Sequence, residues 1–248
     1  AVPGFVLDQL AAHEESSLAG LHHFLKQTRA RLLAMPYHGS SVSLLTGDEL
    51  SYQLELSEDR LHRYFKRKPR GFFAADNIVT KEAEGVLNTR GYKEVFMRQL
   101  DDTELTMTDP QYRLRLASVV DVSAFANSPS PDVLVSPVAP SLASERTPMQ
   151  EHLIAELTAM YPFICESGDA QLLEDWRFLA HSSHIVHVHA GDHPSVAYEQ
   201  YAAMMNILND VAHRIRNVQL TKKGIFAPDA QIVPSPAALL QELFASEQ

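Results

Sequence analysis

The densest concentration of chemically capable side chains is the stretch HSSHIVHVHAGDH, residues 181–193, which holds five of the twelve histidines. Neutral imidazoles beside a carboxylate are ligands for zinc or another first-row divalent metal. Run as a strand, residues 184–190 place Ile185, His187 and His189 on one face and His184, Val186, Val188 and Ala190 on the other. Gly191 then permits a turn that returns Asp192 and His193 toward the same pair. The expected metal set is therefore His187, His189, Asp192 and His193, with an open coordination position where bound water becomes a hydrolytic nucleophile. Run as a helix, His181, His184 and His187 fall three apart and drift across one face, a less convergent arrangement. Two further readings need no metal. His193 or Asp192 can cap a following helix, or several close imidazoles can repel one another once protonated near about pH 6.

Known metal motifs are approached without being matched. HVHAGDH resembles the HxHxDH motif of the metallo-β-lactamase fold, but has one residue more between the second histidine and the aspartate. The later ligands of that fold have no place in the helical pattern after His193, and an amidohydrolase barrel has no room there either.

Two other groupings carry chemistry. Six Lys or Arg residues fall between Arg60 and Arg70, interleaved with Tyr64 and Phe65. Arg63, Lys66, Arg67, Lys68 and Arg70 are candidates for contact with a phosphate or a partner protein. The same residues also suit a helix C-terminus, where cations meet the negative end of the dipole. Separately, Tyr37-His38-Gly39-Ser40-Ser41 followed by Arg70-Gly71-Phe72-Phe73-Ala74-Ala75-Asp76 resembles, over about a dozen residues, the order of segments in ADP-ribosyltransferases. That resemblance implies NAD held at His38 and Gly39 and a glycine-aromatic strand lining its pocket. It leaves the catalytic acid open among Glu82, Glu84, Glu94 and Glu104. A turn after Pro36 using Gly39 and Ser40 accounts for the first of these segments equally. No G-x-S-x-G elbow, Walker loop or dinucleotide glycine fingerprint occurs.

The elements that would carry these residues differ along the chain. Phe5 to Leu33 favours helix, with Leu18, Leu21, Leu25 and Leu32 on one stripe and Gly20 as its weak point. Leu50, Tyr52, Leu54 and Leu56 alternate with polar residues, which predicts a strand, followed by a short helix from Ser57 to the basic residues before Pro69. Strands are expected at 103–108 and 111–120 around Asp109-Pro110. Beyond residue 147 the pattern is helical. Thr147-Pro148-Met149-Gln150 is a capped helix start, and a second helix is expected near Asp169, presenting Leu172, Leu173, Trp176 and Leu179. Ala197, Tyr201, Met204, Leu208, Val211, Ile215 and Val218 mark a third helix by their 4-3-4-3-4-3 spacing, and a last one is expected from Ser235-Pro236. The expected fold is α+β: a mixed α+β part over 1–126, a Ser/Pro-rich linker or arm over 127–147, and a mainly helical part over 148–248.

Composition sets the outer bounds. With 45% hydrophobic and 21% charged residues, the chain can close a core. The net charge of −10 disfavours general nucleic-acid binding, which needs clustered cations. Residues 1–126 carry 15 basic and 17 acidic side chains, while 127–248 carry 6 and 14. No run is apolar enough to span a bilayer. The single cysteine, Cys165, is expected to pack as a small buried hydrophobe, and the absence of an internal disulfide points to a cytoplasmic setting, with trimming of a leader left open. Function remains open among a metal-dependent, hydrolytic enzyme, a partner-binding protein and an NAD-using transferase.

Overall fold

Thr46 starts the longest helix of the N-terminal part: its side chain accepts from the Glu49 amide, and Asp48 and Glu49 stand in the first turn, where the dipole favours anions. The helix runs Gly47–Phe65 and buries Leu50, Leu54, Leu61 and Phe65, with Gln53 and Ser57 on the same face. The strand expected at residues 50–56 is therefore helix. Its alternation holds for seven residues only, whereas the helical stripe holds for nineteen, and Tyr52 is 44% exposed on the far side. The helix ends at Lys66, in the left-handed conformation at φ 54°, before Pro69, as the basic run implied.

The computed structural model describes residues 1–28, 30–74, 78–98, 113–120, 133–135, 146–188 and 194–222. Two compact units divide the chain, Ala1–Ser144 and Glu145–Gln248. Strands occur in the N-terminal part and helices in the C-terminal part, the mixed α+β composition the sequence implies.

In the first unit, α1 (Gly4–His13) and α2 (Glu15–Gln27) break at Glu14, at φ −141° and ψ 56°, and not at Gly20. Then come β1 (Leu33–Ala34), the helix just described as α3, β2 (Gly71–Phe73), α4 (Lys81–Thr89), β3 (Glu94–Arg98), β4 (Arg113–Val120) and β5 (Val133–Val135). The strands pair in parallel in the order β1-β2-β3-β4-β5, with Leu33 opposite Gly71 and Phe72 opposite Val95. Consecutive parallel strands laid side by side are the winding of a (β/α) barrel, and differ from a doubly wound sheet, whose strand order reverses. A Cβ at Gly71 would come within 2.8 Å of Leu33 Cδ2 and 2.9 Å of Phe96 Cε2, so only glycine fits between the two flanking strands. The expected strand over 111–120 is present from Arg113, while the one at 103–108 lies outside the described residues. Leu7, Leu25, Leu61 and Phe65 form a core where α1, α2 and α3 meet, with Leu18, Leu21 and Leu32 packed against it.

The second unit is helical among the described residues: α5 (Pro148–Ser167), α6 (Ala170–Leu179), α7 (Ser182–His187) and α8 (Pro194–Lys222). The start of α5 is a capping box, with Thr147 Oγ1 accepting from Gln150 N and Gln150 Oε1 accepting from Thr147 N. Asp169 caps α6 through the amides of Gln171 and Leu172. The unit's core takes in Leu153, Leu157, Met160, Leu172, Trp176, Leu208, Val211 and Ile215, and the indole of Trp176 donates to the Leu157 carbonyl at 2.9 Å. Cys165 is exposed, contrary to expectation, because the buried stripe of α5 runs through Met160, Ile164 and Ser167 and turns residue 165 outward. The helix expected from residue 235 lies outside the described residues. Among the described residues no helix is long and apolar enough to cross a membrane.

Candidate active-site loop

The loop that leaves β1 is a buried polar feature at a strand end. Gly39, at φ 70°, turns the chain back so that its amide donates to the Pro36 carbonyl at 2.8 Å. The turn puts His38, Ser40 and Ser41 inside the protein, each 1% exposed or less. Buried polar groups must be hydrogen-bonded, and α3 supplies the partner. Gln53 Oε1 accepts from the His38 amide at 3.3 Å and from the Ser40 hydroxyl at 3.2 Å, and its Nε2 donates to Glu49 Oε1 at 3.0 Å. Glu49 is itself buried. The His38 ring meets Tyr37 edge-on, with centroids 4.8 Å apart.

From the opposite side α1 holds the same loop. The Phe5 amide donates to the Tyr37 carbonyl, and Asp8 accepts from Tyr37 Oη at 2.7 Å, Tyr64 Oη at 2.6 Å and Arg60 Nε at 2.7 Å. Burial alone would push the Asp8 carboxyl up, but hydrogen bonds from Tyr64, Tyr37 and Arg60 outweigh it and hold the group below its ordinary range. Active sites of parallel (β/α) folds sit at the C-terminal ends of their strands, the end of β1 from which this loop departs. His38, Ser40, Gln53 and Glu49 are fixed beside that strand end by one another. A cleft of 630 Å³, lined by Asp48, Glu58, Glu82, Lys68 and Arg90 among others, lies between α3 and α4. Two of its acids are engaged in structure. Glu58 accepts from Arg90 Nε and the Tyr92 hydroxyl, and Glu82 accepts from the Gly47 amide.

The expected sites are placed as follows. His38 and Gly39, the NAD positions of the resemblance, are both buried, and the glycine-aromatic segment is β2. In the basic run, Arg67 donates to the carbonyls of Leu25 and Ala30, Arg63 stacks over Tyr64, Lys66 ends α3, Lys68 borders the α3–α4 cleft, and Arg70 is exposed. Part of that run therefore anchors α3 to α2.

Of the two conformations the sequence leaves open here, the helical one is found as far as His187, in the short helix α7. His181 caps it, accepting from the Ser183 amide through Nδ1 at 3.1 Å. His187 lies in its last turn, whereas His189, Asp192 and His193 lie outside the described residues. No group of three or more metal-ligating side chains occurs among the described residues. Burial, with the neighbouring His187, holds the His184 imidazole below its ordinary range. Gln53 and Glu49 were not singled out by sequence reasoning. Their signal was present: two polar residues four apart on the face that also carries Leu50 and Leu54.

A parallel unit wound in sequential order, with a fixed polar loop at a strand end, is an architecture that hosts many unrelated activities. Residues 2–123, just under half of the chain, match the model of glycosyl hydrolase family 57, which points to a hydrolase of glycosidase type. The match covers α1 through β4 and the loop after β1, and ends well before the histidine cluster. No curated protein and no solved structure matches the chain.

Proposed function

We propose that the protein hydrolyses glycosidic bonds and that the buried loop Pro36–Ser41 braces the strand end beside the sugar site. The observation that carries this reading is the match of residues 2–123 to a glycosyl hydrolase family. The geometry supports it, because the matched segment includes the β1 loop and both helices that clamp it. Glycoside hydrolysis in general uses two carboxyl groups, one donating a proton to the leaving oxygen and the other acting as nucleophile or activating water. Glu49 is hydrogen-bonded into the loop network through Gln53. Acting through Gln53, it is a positioning residue: it fixes the amide that in turn holds His38 and Ser40.

The test is release of new reducing ends from a panel of α- and β-linked oligosaccharides by the purified chain, with Glu49→Gln alongside. Glu49→Gln keeps an acceptor oxygen for Gln53, removes the charge and turns the other carboxylate oxygen into an amide donor. The expected result is sugar release by the parent and a kcat about tenfold lower in the variant, with KM little changed and the folded state intact. No release by the parent across the panel would remove the hydrolase reading. Equal kcat in the two would remove Glu49 from the site.

A further inference from the structure

The second unit carries an aromatic and polar cluster that the β1 loop does not use. Tyr198 and Tyr201 lie one turn apart near the start of α8, with ring centroids 6.5 Å apart. Tyr198 is 63% exposed, so its ring contributes little to the core that Ala197, Met204 and Leu208 build on the same helix. Tyr201 is fixed in place. Its hydroxyl lies 2.6 Å from His152 Nδ1 on α5, and His152 Nε2 lies 3.4 Å from Glu156 Oε1. The Glu156 side chain is only 8% exposed, whereas His152 is 44% exposed. A carboxylate facing Nε2 favours the tautomer with its proton there, which leaves Nδ1 to accept from the Tyr201 hydroxyl. Burial, with Glu156 and Tyr198 nearby, raises the Tyr201 phenol further, so it stays protonated and remains the donor.

The result is an exposed ring face beside a polar edge that is already oriented. Uncharged sugars present that combination in reverse: a C–H face that covers an aromatic ring, and hydroxyls at its rim. Charge narrows the ligand further. Residues 127–248 carry 14 acidic against 6 basic side chains, and Glu151, Glu156 and Glu199 adjoin the cluster in sequence, so phosphorylated or sulfated chains are repelled. We propose that Tyr198, Tyr201 and His152 form a binding platform for a neutral oligosaccharide. The ligand class rests on the glycoside-hydrolase reading, while the cluster itself lies outside the segment that carries the match.

Calorimetric titration of the full chain with α-1,4- and β-1,4-linked glucose hexamers tests this. Binding of one series is expected, weakened about tenfold by Tyr198→Ala and also by Tyr201→Phe, which keeps the ring and removes the hydroxyl. Tyr52→Ala, at an exposed tyrosine of α3, serves as the control and should bind like the parent. No binding of either hexamer by the parent, or affinity unchanged in Tyr198→Ala, overturns the platform. The two proposals fail separately. Tyr198-dependent binding without bond cleavage keeps the platform and removes the hydrolase, whereas cleavage without Tyr198-dependent binding does the reverse.

Discussion

Asp8 shows how much of the first unit hangs on one side chain. It accepts from residues of the β1 loop and of α3 while belonging to α1, so it ties three segments with three donors. Its carboxyl is held below the usual 3.8, and a group depressed in the folded state contributes stability that is present above its unfolded pKa and lost as pH falls through its folded one. The denaturation midpoint of the parent should therefore fall as pH drops below about 4. Asp8→Asn should cost about 1–3 kcal/mol at pH 7 and flatten that acid limb, since a neutral amide loses the charge-assisted bonds. Urea titrations at pH 7 and pH 3 check both. Equal acid sensitivity in parent and variant would show that other carboxylates govern it. Gln53 is the second such residue, with no exposed surface and two loop donors depending on its oxygen. Gln53→Leu leaves those donors buried without an acceptor, and the expected cost is about 2–4 kcal/mol in the same titrations. A loss below that range would mean that the loop finds other acceptors.

At the scale of elements, the ends of helices decide more than their middles. Lys66 terminates α3 in the left-handed region, which is costly for any residue with a Cβ. Lys66→Gly should raise stability by about 1 kcal/mol, read as a higher denaturation midpoint, and no gain would mean that the lysine stem makes a compensating contact. Thr147→Ala should lose about 1 kcal/mol through its capping box, measured the same way. These ends also explain which parts of the fold were legible. The helices α5 and α6 could be read because cap and stripe agree, Thr147 with Leu153, Leu157 and Met160, and Asp169 with Leu172 and Trp176, and α8 by the spacing of its apolar seam. The helix α3 was misread because Leu50, Tyr52, Leu54 and Leu56 happen to alternate, although Thr46-Gly47-Asp48-Glu49 already spelled a helix start. The strands β2 and β3 span three and five residues and are too short for any period to be counted. Of the candidate site, His38 and Gly39 stood out as a turn, but Gln53 became visible only once its helix was known, because helical phase aims it at the loop.

For the whole molecule, the decisive fact is where the two chemistries fall along the chain. The glycoside-hydrolase match ends at residue 123, and the described part of the histidine cluster belongs to the unit that begins at Glu145. The near-neutral first part can host a sugar-cleaving site built from carboxyl groups, chemistry that needs no contribution from imidazoles more than fifty residues further on. The expected metal set of His187, His189, Asp192 and His193 falls in the sequence of the second unit. The double variant His187→Ala/His189→Ala separates the two. Sugar release should stay within about twofold of the parent, because a difference of that size is under 0.5 kcal/mol in the barrier. Metal content, measured by elemental analysis on protein purified without an affinity tag, should fall only if the cluster holds an ion. Loss of hydrolysis together with loss of metal would join the two sites into one and return the histidine cluster to the centre of the chemistry.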